Sequence, residues 1–300
     1  MAVFEVNEVF MSLEGEAAYT NFPTVYIRFS RCNFKCPKFN NSEDTKIEPT
    51  GYATLTFNPK DYKSLPDMPM IDRGCDSQYA VNPIFSHTWD KLSTDELVKR
   101  VIDLLPHKSW KHPKTGLPVI LSITGGEPTL RWKFIPEILN HPDMAGCTHV
   151  LVETNCAVPF KREFPMNISQ WLTANPERIW TWSNSPKLSA SGESWDEAIR
   201  PEIASNQRLI IGDATRDRVN QYFKFVVGPR EGDFDEVAKA MEEYYAGGVP
   251  RDVQVWIMPE ACLEEQQQAV AQKVALMCMD RGYLFCPRSH VTLWGNVCGT

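Results

Sequence analysis

Strand-like and helix-like segments alternate along this 300-residue chain, and the alternation constrains the fold more than any other feature. Several segments with helical periodicity lie between short apolar runs, and the clearest is Thr94–Leu105, for which Ser93 is the predicted N-cap. The others are Trp132–Leu139, Phe234–Tyr245 and Leu263–Asp280. The apolar runs, each about the length of a buried strand, are Thr24–Phe29, Val119–Ile123, Val150–Val152, Ile179–Trp182, Phe223–Val227 and Val253–Ile257. This order predicts an α/β fold with about six mainly parallel strands and helices outside, which suits an incomplete barrel better than a closed one.

Two segments interrupt the alternation. Residues 37 to about 74 are polar, rich in Pro, Asp and Lys, and without a sustained period, and residues 184–218 are mixed and turn-rich. Irregular stretches of this length in a compact domain are usually functional lids or local excursions. We therefore expect residues 1–300 to form a single domain with an irregular insertion at 37–74 and a turn-rich excursion at 184–218.

The composition disfavours several classes of protein. With 31 Lys and Arg against 38 Asp and Glu, the net charge of −7 does not suggest direct nucleic-acid binding. The basic residues at 108–114 are expected to form a solvated loop. No apolar run approaches the roughly 20 residues needed to span a bilayer, so no membrane contact is expected. The first residues carry neither a basic nor an apolar signal region, which predicts a cytoplasmic protein, or one in the host cytoplasm if it is virus-encoded.

The cysteines indicate metal chemistry. An odd count of nine without an export signal argues against a disulfide framework and favours reduced thiols, some of them metal ligands. Cys32 and Cys36 follow the first long strand, and two thiolates four positions apart can reach one metal centre. Two free thiols on a loop would show the same pattern. A third ligand does not follow at the expected place, because Phe39 stands there, and the next cysteine is Cys75.

Ten short segments, in order along nearly the whole chain, carry a resemblance to a known family. They are Glu8–Glu16, Pro23–Phe29, Cys32–Cys36, Cys75–Ser77, Thr124–Pro128, Glu153–Asn155, Ser185–Lys187, Lys224–Val227, Met258–Glu260 and His290–Gly295. Together they resemble the 7-carboxy-7-deazaguanine synthases, radical S-adenosylmethionine (SAM) enzymes of queuosine and 7-deazaguanine biosynthesis. If Cys75 is the third cluster cysteine, an insertion of 38 residues separates it from the second, Cys36.

The resemblance implies a fold, an activity and cofactors. The fold would be the incomplete TIM-like barrel of radical SAM enzymes. The activity would be that of a lyase, which converts 6-carboxy-5,6,7,8-tetrahydropterin to 7-carboxy-7-deazaguanine with loss of ammonia. Hydrogen abstraction by a 5′-deoxyadenosyl radical would start the ring contraction. The cofactors would be a [4Fe–4S] cluster, SAM and Mg²⁺. An electron donor such as flavodoxin or ferredoxin and a homodimeric state are also implied.

The resemblance also implies roles for individual residues, although no side chain is predicted to be catalytic in itself. The predicted cluster ligands are Cys32, Cys36 and Cys75, and the Ser77 hydroxyl is the predicted Mg²⁺ ligand. The predicted cofactor-binding residues are Gly125, Gly126, Glu127, Ser185, Pro186, Lys187 and Glu260. The predicted substrate-binding residues are Leu13, Glu14, Gly15, Arg28, Thr124, His290 and Thr300.

Alternatives remain for several of these residues. Thr124–Pro128 could form a tight strand-to-loop turn, Arg28 a surface ion pair, and His290 a structural contact. The family's aromatic residue before the third cysteine is Gly74 here, so Phe39 or Tyr79 is expected to replace it, and Glu14 stands where many relatives carry Gln. The other six cysteines are expected to be packing residues, with Cys156 the best rival for a site role.

Two other functions also fit the sequence. One is a radical SAM enzyme that acts on a different pterin or purine-like substrate, admitted by the insertion. The other is a cluster-less binding or regulatory protein that kept the fold, for which the displaced third cysteine is the support.

Overall fold

A single open sheet organises the protein in a computed structural model, which describes residues 3–39, 46–209, 213–295 and 297–299. Within these ranges the sheet has nine strands in the order β3-β1-β2-β4-β5-β6-β7-β8-β9. The strands are β1 Val3–Leu13, β2 Pro23–Phe29, β3 Asp90–Ser93, β4 Ile120–Gly125, β5 His149–Thr154, β6 Ile179–Asn184, β7 Val219–Val227, β8 Gln254–Pro259 and β9 Leu284–Phe285.

The sheet is mainly parallel. β2 and β4 to β9 run in one direction, and β1 pairs antiparallel with both β2 and β3. All six predicted runs are strands of the parallel part, and no pairing joins β3 to β9 among the described residues, so the sheet does not close. The prediction of an α/β fold with an incomplete barrel is confirmed. Three strands, β1, β3 and β9, were not predicted.

The helices follow the predicted pattern with some differences. The predicted helix at 94–105 is α2, and Ser93 caps it in a reciprocal arrangement with Glu96. The segment predicted from Trp132 is helical only from Ile135, where α3 begins. The helices are α1 Gln78–Val81, α2 Thr94–Leu104, α3 Ile135–Leu139, α4 Glu163–Thr173, α5 Trp195–Ala198, α6 Pro201–Leu209, α7 Glu231–Ala246, α8 Glu264–Arg281 and α9 Ser289–Trp294. None of the described helices is both long and apolar enough to cross a lipid bilayer.

The two irregular segments differ in structure. The described part of 37–74 contains only short 3₁₀ turns and one isolated bridge, between Ile47 and Ala53. Its apolar side chains form a small cluster of their own with the residues that follow, including Leu65, Tyr79 and Phe85. The segment 184–218, in contrast, contains the helices α5 and α6, which were not predicted.

The hydrophobic core lies between the sheet and its helices. One cluster joins the first half of the sheet to α2, α3 and α4, and a second joins the later strands to α6, α7 and α8. Because parallel strands end at the same edge, the segments that follow β2, β4, β5, β6, β7 and β8 meet at one side of the sheet. Ligand sites of α/β folds lie at this carboxyl edge.

Candidate active site

A cavity of about 230 Å³ opens at the carboxyl edge of the sheet. Its lining includes residues at or just beyond the ends of β2, β4, β5 and β6, together with residues of the insertion and of the C-terminal segment. Twelve of the residues predicted for the site line this cavity, namely Cys32, Cys36, Cys75, Ser77, Gly125, Gly126, Ser185, Lys187, Glu14, Arg28, Thr124 and His290.

The three cysteines predicted as cluster ligands face this one cavity and share one apolar cluster. The insertion brings Cys75 back to the other two because its two ends meet. The amide of Gly74 donates a hydrogen bond of 2.5 Å to the carbonyl of Phe39, so the chain leaves and returns at the same point. The long sequence separation between Cys36 and Cys75 is therefore a short separation in space.

The environment of the thiols is unfavourable for free nucleophilic chemistry. Burial raises the pKa of Cys32 and of Cys75 to about 12, so both are neutral without a bound cation. Among the described residues, no three His, Cys, Asp or Glu side chains converge closely enough to hold a single metal ion. The donor set nevertheless suits an iron–sulfur cluster, because each thiolate then binds a different iron and soft sulfur ligands favour iron.

The two glycines at the end of β4, Gly125 and Gly126, allow a close backbone approach to the cysteine loop. A Cβ on Gly125 would lie 2.2 Å from the carbonyl oxygen of Phe29, and its φ of +147° also disfavours a side chain. A Cβ on Gly126 would lie 2.3 Å from the carbonyl oxygen of Arg31 and 2.9 Å from Cβ of Cys32. The glycine motif is thus required by packing against the first cysteines as well as by any ligand in the cavity.

Glu127 does not line the cavity, in contrast to the glycines before it. Its fully buried carboxylate accepts hydrogen bonds from the amides of Thr129 at 3.0 Å and Asn155 at 2.7 Å. The hydroxyls of Thr129 and Thr154 also donate to it, at 2.5 and 2.7 Å. In this conformation the carboxylate joins the ends of β4 and β5, and burial raises its pKa despite these bonds.

A group of buried and half-buried charged side chains forms the floor of the cavity, and the sequence analysis assigned it no role. Lys224 contacts the carboxylate of Glu16 and lies 3.4 Å from that of Glu153. Arg288 lies 3.3 Å from Glu16 and 3.0 Å from Asp76. Burial opposes ionisation of Glu16, but Lys224 and Arg288 hold the pKa of that carboxyl well below its usual range. A lysine within the apolar run of β7 was the available sequence signal.

Glu14 is a buried acid beside this charged group. The hydroxyl of Tyr26 donates to its carboxyl group at 3.0 Å, and only 3% of the residue is exposed. Burial raises the pKa of Glu14 well above its usual value, and the neighbouring Glu153 and Glu16 raise it further. A neutral Glu14 can both donate and accept hydrogen bonds, as an amide does.

His290 faces the same cavity from α9. Its ring lies so close to Gly15 that a Cβ there would be 1.7 Å from Nδ1, and the amide of Ser289 donates to the Gly15 carbonyl at 3.0 Å. Burial and the nearby Arg288 lower the pKa of His290 from 6.5 to about 4, so the imidazole is neutral at pH 7. Gly15 itself positions the histidine rather than lining the cavity.

The other predicted residues divide between the cavity and its surroundings. Arg28 lines the cavity and also forms an ion pair with Glu8, with Nε 3.1 Å from a carboxylate oxygen. The ammonium of Lys187 donates to the carbonyl of Ser185 at 3.0 Å. Glu260 pairs with Arg230 at 2.7 Å. The predicted residues outside the cavity lining are Leu13, Gly15, Glu127, Pro186 and Glu260, whereas Thr300 lies outside the described residues.

Residues named as alternatives also have clear positions. Phe39 and Tyr79, the two candidates to replace the family's aromatic residue, both line the cavity. Cys156 does not line it and packs in the second core cluster, where the Gln207 amide donates to its sulfur at 3.6 Å. Of the six cysteines predicted to pack, only Cys298 contributes to the cavity wall.

The fold and the site together are those expected of radical SAM enzymes: an incomplete α/β barrel with three thiols at its carboxyl edge beside a strand that ends in two glycines. The curated relatives of the chain carry the name of one particular enzyme. The chain is 26% identical over 293 residues to 7-carboxy-7-deazaguanine synthase of Halobacterium salinarum. The aligned region covers 97% of this chain and 90% of the relative. It is 25% identical over 298 residues to the enzyme of the same name in Rhodopirellula baltica, covering 98% and 88%.

Further comparisons complete this result. A segment of 61 residues is 47% identical to 7-carboxy-7-deazaguanine synthase of Haemophilus influenzae and covers 19% of this chain and 29% of the relative. A crystal structure of QueE from Escherichia coli aligns with a TM-score of 0.43 and 18% identity over 96% of this chain and 95% of the other. No family model matches the chain. The resemblance to 7-carboxy-7-deazaguanine synthases that the motifs predicted is confirmed by the full-length relatives.

Proposed function

We propose that this chain is a radical SAM 7-carboxy-7-deazaguanine synthase that converts 6-carboxy-5,6,7,8-tetrahydropterin to 7-carboxy-7-deazaguanine and releases ammonia. One observation carries the proposal: Cys32, Cys36 and Cys75 face the cavity that the carboxyl ends of the central strands line. The curated relatives that match nearly the whole chain carry the name of this enzyme, which supports the assignment.

The residues at one end of the cavity fit the expected cofactors. The three thiols would hold a [4Fe–4S] cluster, with Gly125 and Gly126 leaving room for SAM beside it. When bound, the cluster and SAM supply the hydrogen-abstracting radical chemistry. Ser77 offers a hydroxyl oxygen, and its hydrogen bond of 3.3 Å to Asp76 places a carboxylate next to it. Oxygen donors of this kind suit Mg²⁺.

The residues at the other end would bind and orient a polar, carboxylated ring. The Arg28 guanidinium would bind the substrate carboxylate, since a planar fork matches a carboxylate and one side of it is already held by Glu8. Glu14, Thr124 and the neutral imidazole of His290 supply donors and acceptors for ring nitrogens and the carbonyl. Lys224 and Arg288 hold Glu16 as an ion at the floor of the cavity.

The remaining features of the proposal concern the molecule around the site. Residues 1–300 would form one radical SAM domain, in which the insertion at 37–74 and the excursion at 184–218 border the cavity. The active protein would be a cytoplasmic homodimer, reduced by flavodoxin or ferredoxin, and it would bind a small molecule rather than nucleic acid.

Anaerobic reconstitution with iron and sulfide tests the ligand assignment. The wild-type chain and Cys156→Ser should bind a [4Fe–4S] cluster, whereas Cys75→Ser should lose it, because Cys75 faces the cavity and Cys156 does not. Iron content and the electron paramagnetic resonance (EPR) spectrum of the reduced protein measure this. A silent Cys75→Ser together with cluster loss in Cys156→Ser would overturn the assignment.

Turnover with the tetrahydropterin carboxylate and SAM then tests the substrate. The loaded wild-type enzyme should release 7-carboxy-7-deazaguanine, identified by mass. A cluster-loaded protein that cleaves SAM without this product would contradict the proposed substrate and favour a different pterin or purine-like one. A wild-type chain that binds no cluster would favour the cluster-less binding protein.

A further inference from the structure

The loop that carries Cys36 is held by a carboxylate from another part of the chain. The amides of Lys35 and Cys36 both donate to the same oxygen of Glu193, at 2.8 and 2.7 Å. Cys36 has a φ of +43°, in the left-handed region that costs an L-residue roughly 1–2 kcal/mol. Successive amide groups next to a left-handed residue form a concavity that binds anions. Here the bound anion is an internal one, the side chain of Glu193.

Glu193 is itself fixed by the segment that follows β6. Its amide donates to the Ser191 hydroxyl at 3.1 Å, and that hydroxyl donates to the Leu188 carbonyl at 2.6 Å. The amide of Lys38 donates to the Ser191 carbonyl at 3.1 Å, so the two loops are joined at two points. Side-chain freedom of Glu193 is therefore restricted before any cofactor binds.

Backbone amides, and no salt bridge among the described residues, hold this carboxylate. In the described part of the chain, no Lys, Arg or His side chain forms an ion pair with Glu193. The side chain of Lys35, whose amide binds Glu193, turns elsewhere: its ammonium donates a hydrogen bond to the Thr50 carbonyl at 2.6 Å. A carboxylate that accepts a hydrogen bond from the amide of a metal ligand is close enough to act on the metal electrostatically.

We propose that Glu193 is a positioning residue for the cluster: it holds Cys36 in its left-handed conformation and makes the bound cluster harder to reduce. The proposal rests on the proposed function, since it requires a cluster on Cys36. Two effects act together. The carboxylate occupies two amide groups that cannot then donate to cluster sulfur, and it adds negative charge nearby. Both net charge and hydrogen bonds to sulfur set the potential of an iron–sulfur cluster.

Two substitutions separate the effects. Glu193→Gln keeps an oxygen acceptor for the two amides and removes the charge, whereas Glu193→Ala removes the acceptor too. Glu197→Gln is the matched control, because Glu197 is an exposed glutamate of the same segment whose carboxylate accepts a hydrogen bond from the Ser194 hydroxyl at 3.0 Å. All four proteins are reconstituted anaerobically, checked for folding by circular dichroism, and titrated with dithionite while the EPR signal of the reduced cluster is recorded.

The expected results differ between the variants. At the potential where half of the wild-type cluster is reduced, Glu193→Gln should show a ratio of reduced to oxidised cluster about fivefold higher, because one nearby charge is gone. Glu193→Ala should lose iron to a chelator about tenfold faster than wild type, since Cys36 is no longer held. Glu197→Gln should match wild type in both measurements.

Other outcomes would overturn the inference. If the cluster of Glu193→Gln had the wild-type reduction potential, the proposed effect of the charge would be refuted. If Glu193→Ala lost iron as slowly as wild type, the proposed positioning of Cys36 would be refuted. Equal shifts in Glu193→Gln and Glu197→Gln would show a general charge effect of the segment instead. A wild-type chain that binds no cluster would contradict the proposed function, and the inference would fail because it requires that cluster.

Discussion

Replacing Lys224 by methionine should destabilise the protein strongly, because it is the cation at the centre of the buried charged group. The ammonium contacts Glu16 and lies 3.4 Å from Glu153, and the residue is only 4% exposed. Without it, Glu16 still has Arg288 at 3.3 Å, whereas Glu153 keeps the uncharged Ser122 hydroxyl, which donates to it at 3.0 Å. Removing one partner of a buried ion pair costs about 3–5 kcal/mol, and we expect about 3 kcal/mol because Arg288 remains.

Urea unfolding of the cluster-free protein, followed by tryptophan fluorescence, measures this loss at pH 7. Lys111→Met is the matched control: Lys111 pairs with Glu177 at 2.8 Å on the surface, and loss of an exposed pair costs less than about 1 kcal/mol. The double variant Lys224→Met/Glu153→Gln should recover part of the stability, because the stranded carboxylate is then neutral.

The pH dependence gives a second measure of the same effect. Lys224 and Arg288 hold the pKa of folded Glu16 below its unfolded value of 4.5, so the stabilisation is present above that value and is lost as the pH falls. The difference between wild type and Lys224→Met should therefore shrink in acid. A loss at pH 7 no larger than that of Lys111→Met, or no recovery in the double variant, would refute the reasoning.

Two further substitutions test other parts of the site. His290→Gln should make the free energy of unfolding less dependent on pH. The pKa of His290 is about 4 in the folded protein and 6.5 in the unfolded chain, so the wild type loses about 3 kcal/mol of stability as the pH falls from 6.5 to 4. Urea unfolding at several pH values measures this loss, and an unchanged slope in the variant would contradict the prediction. Gly126→Ala should reduce iron incorporation severalfold, since its Cβ would lie 2.3 Å from the Arg31 carbonyl. Gly232→Ala, with open space around its Cβ, should bind iron normally, and equal behaviour of the two glycine variants would argue against the packing role.

The parallel part of the sheet was predictable because its signals are local. Each of the six runs is apolar enough to be buried on both faces, and the motifs around Cys32, Gly125 and Ser185 lie at or just after strand ends, so the shared edge followed from the order alone. β1 also carries a signal, since Phe4 and Val6 alternate with polar residues and are buried. β9, with two residues, is too short for any periodic pattern.

The charged floor of the cavity could not be derived in the same way. Glu16, Glu153, Lys224 and Arg288 come from four distant parts of the chain, and apart from Lys224, which interrupts an apolar run, each alone resembles an ordinary surface charge. Only the assembled sheet shows that they lie together at the cavity. The same holds for Glu193, whose partners are backbone amides, which leave no trace in a side-chain pattern. The Glu127 carboxylate, in turn, is used within the protein because Thr129 and Thr154 surround it.

The hydrogen bond between Phe39 and Gly74 separates distance along the chain from distance in space. A pattern search that fixes the number of residues between ligands would reject this protein, although its three thiols face one cavity. Because the insertion starts and ends at one pair of residues, its length can change at little cost in free energy: doubling a flexible loop costs only about 0.6 kcal/mol of closure entropy. The insertion between Phe39 and Gly74 is thus a place where the sequence of a reporter or a binding module could be added without moving the cysteines.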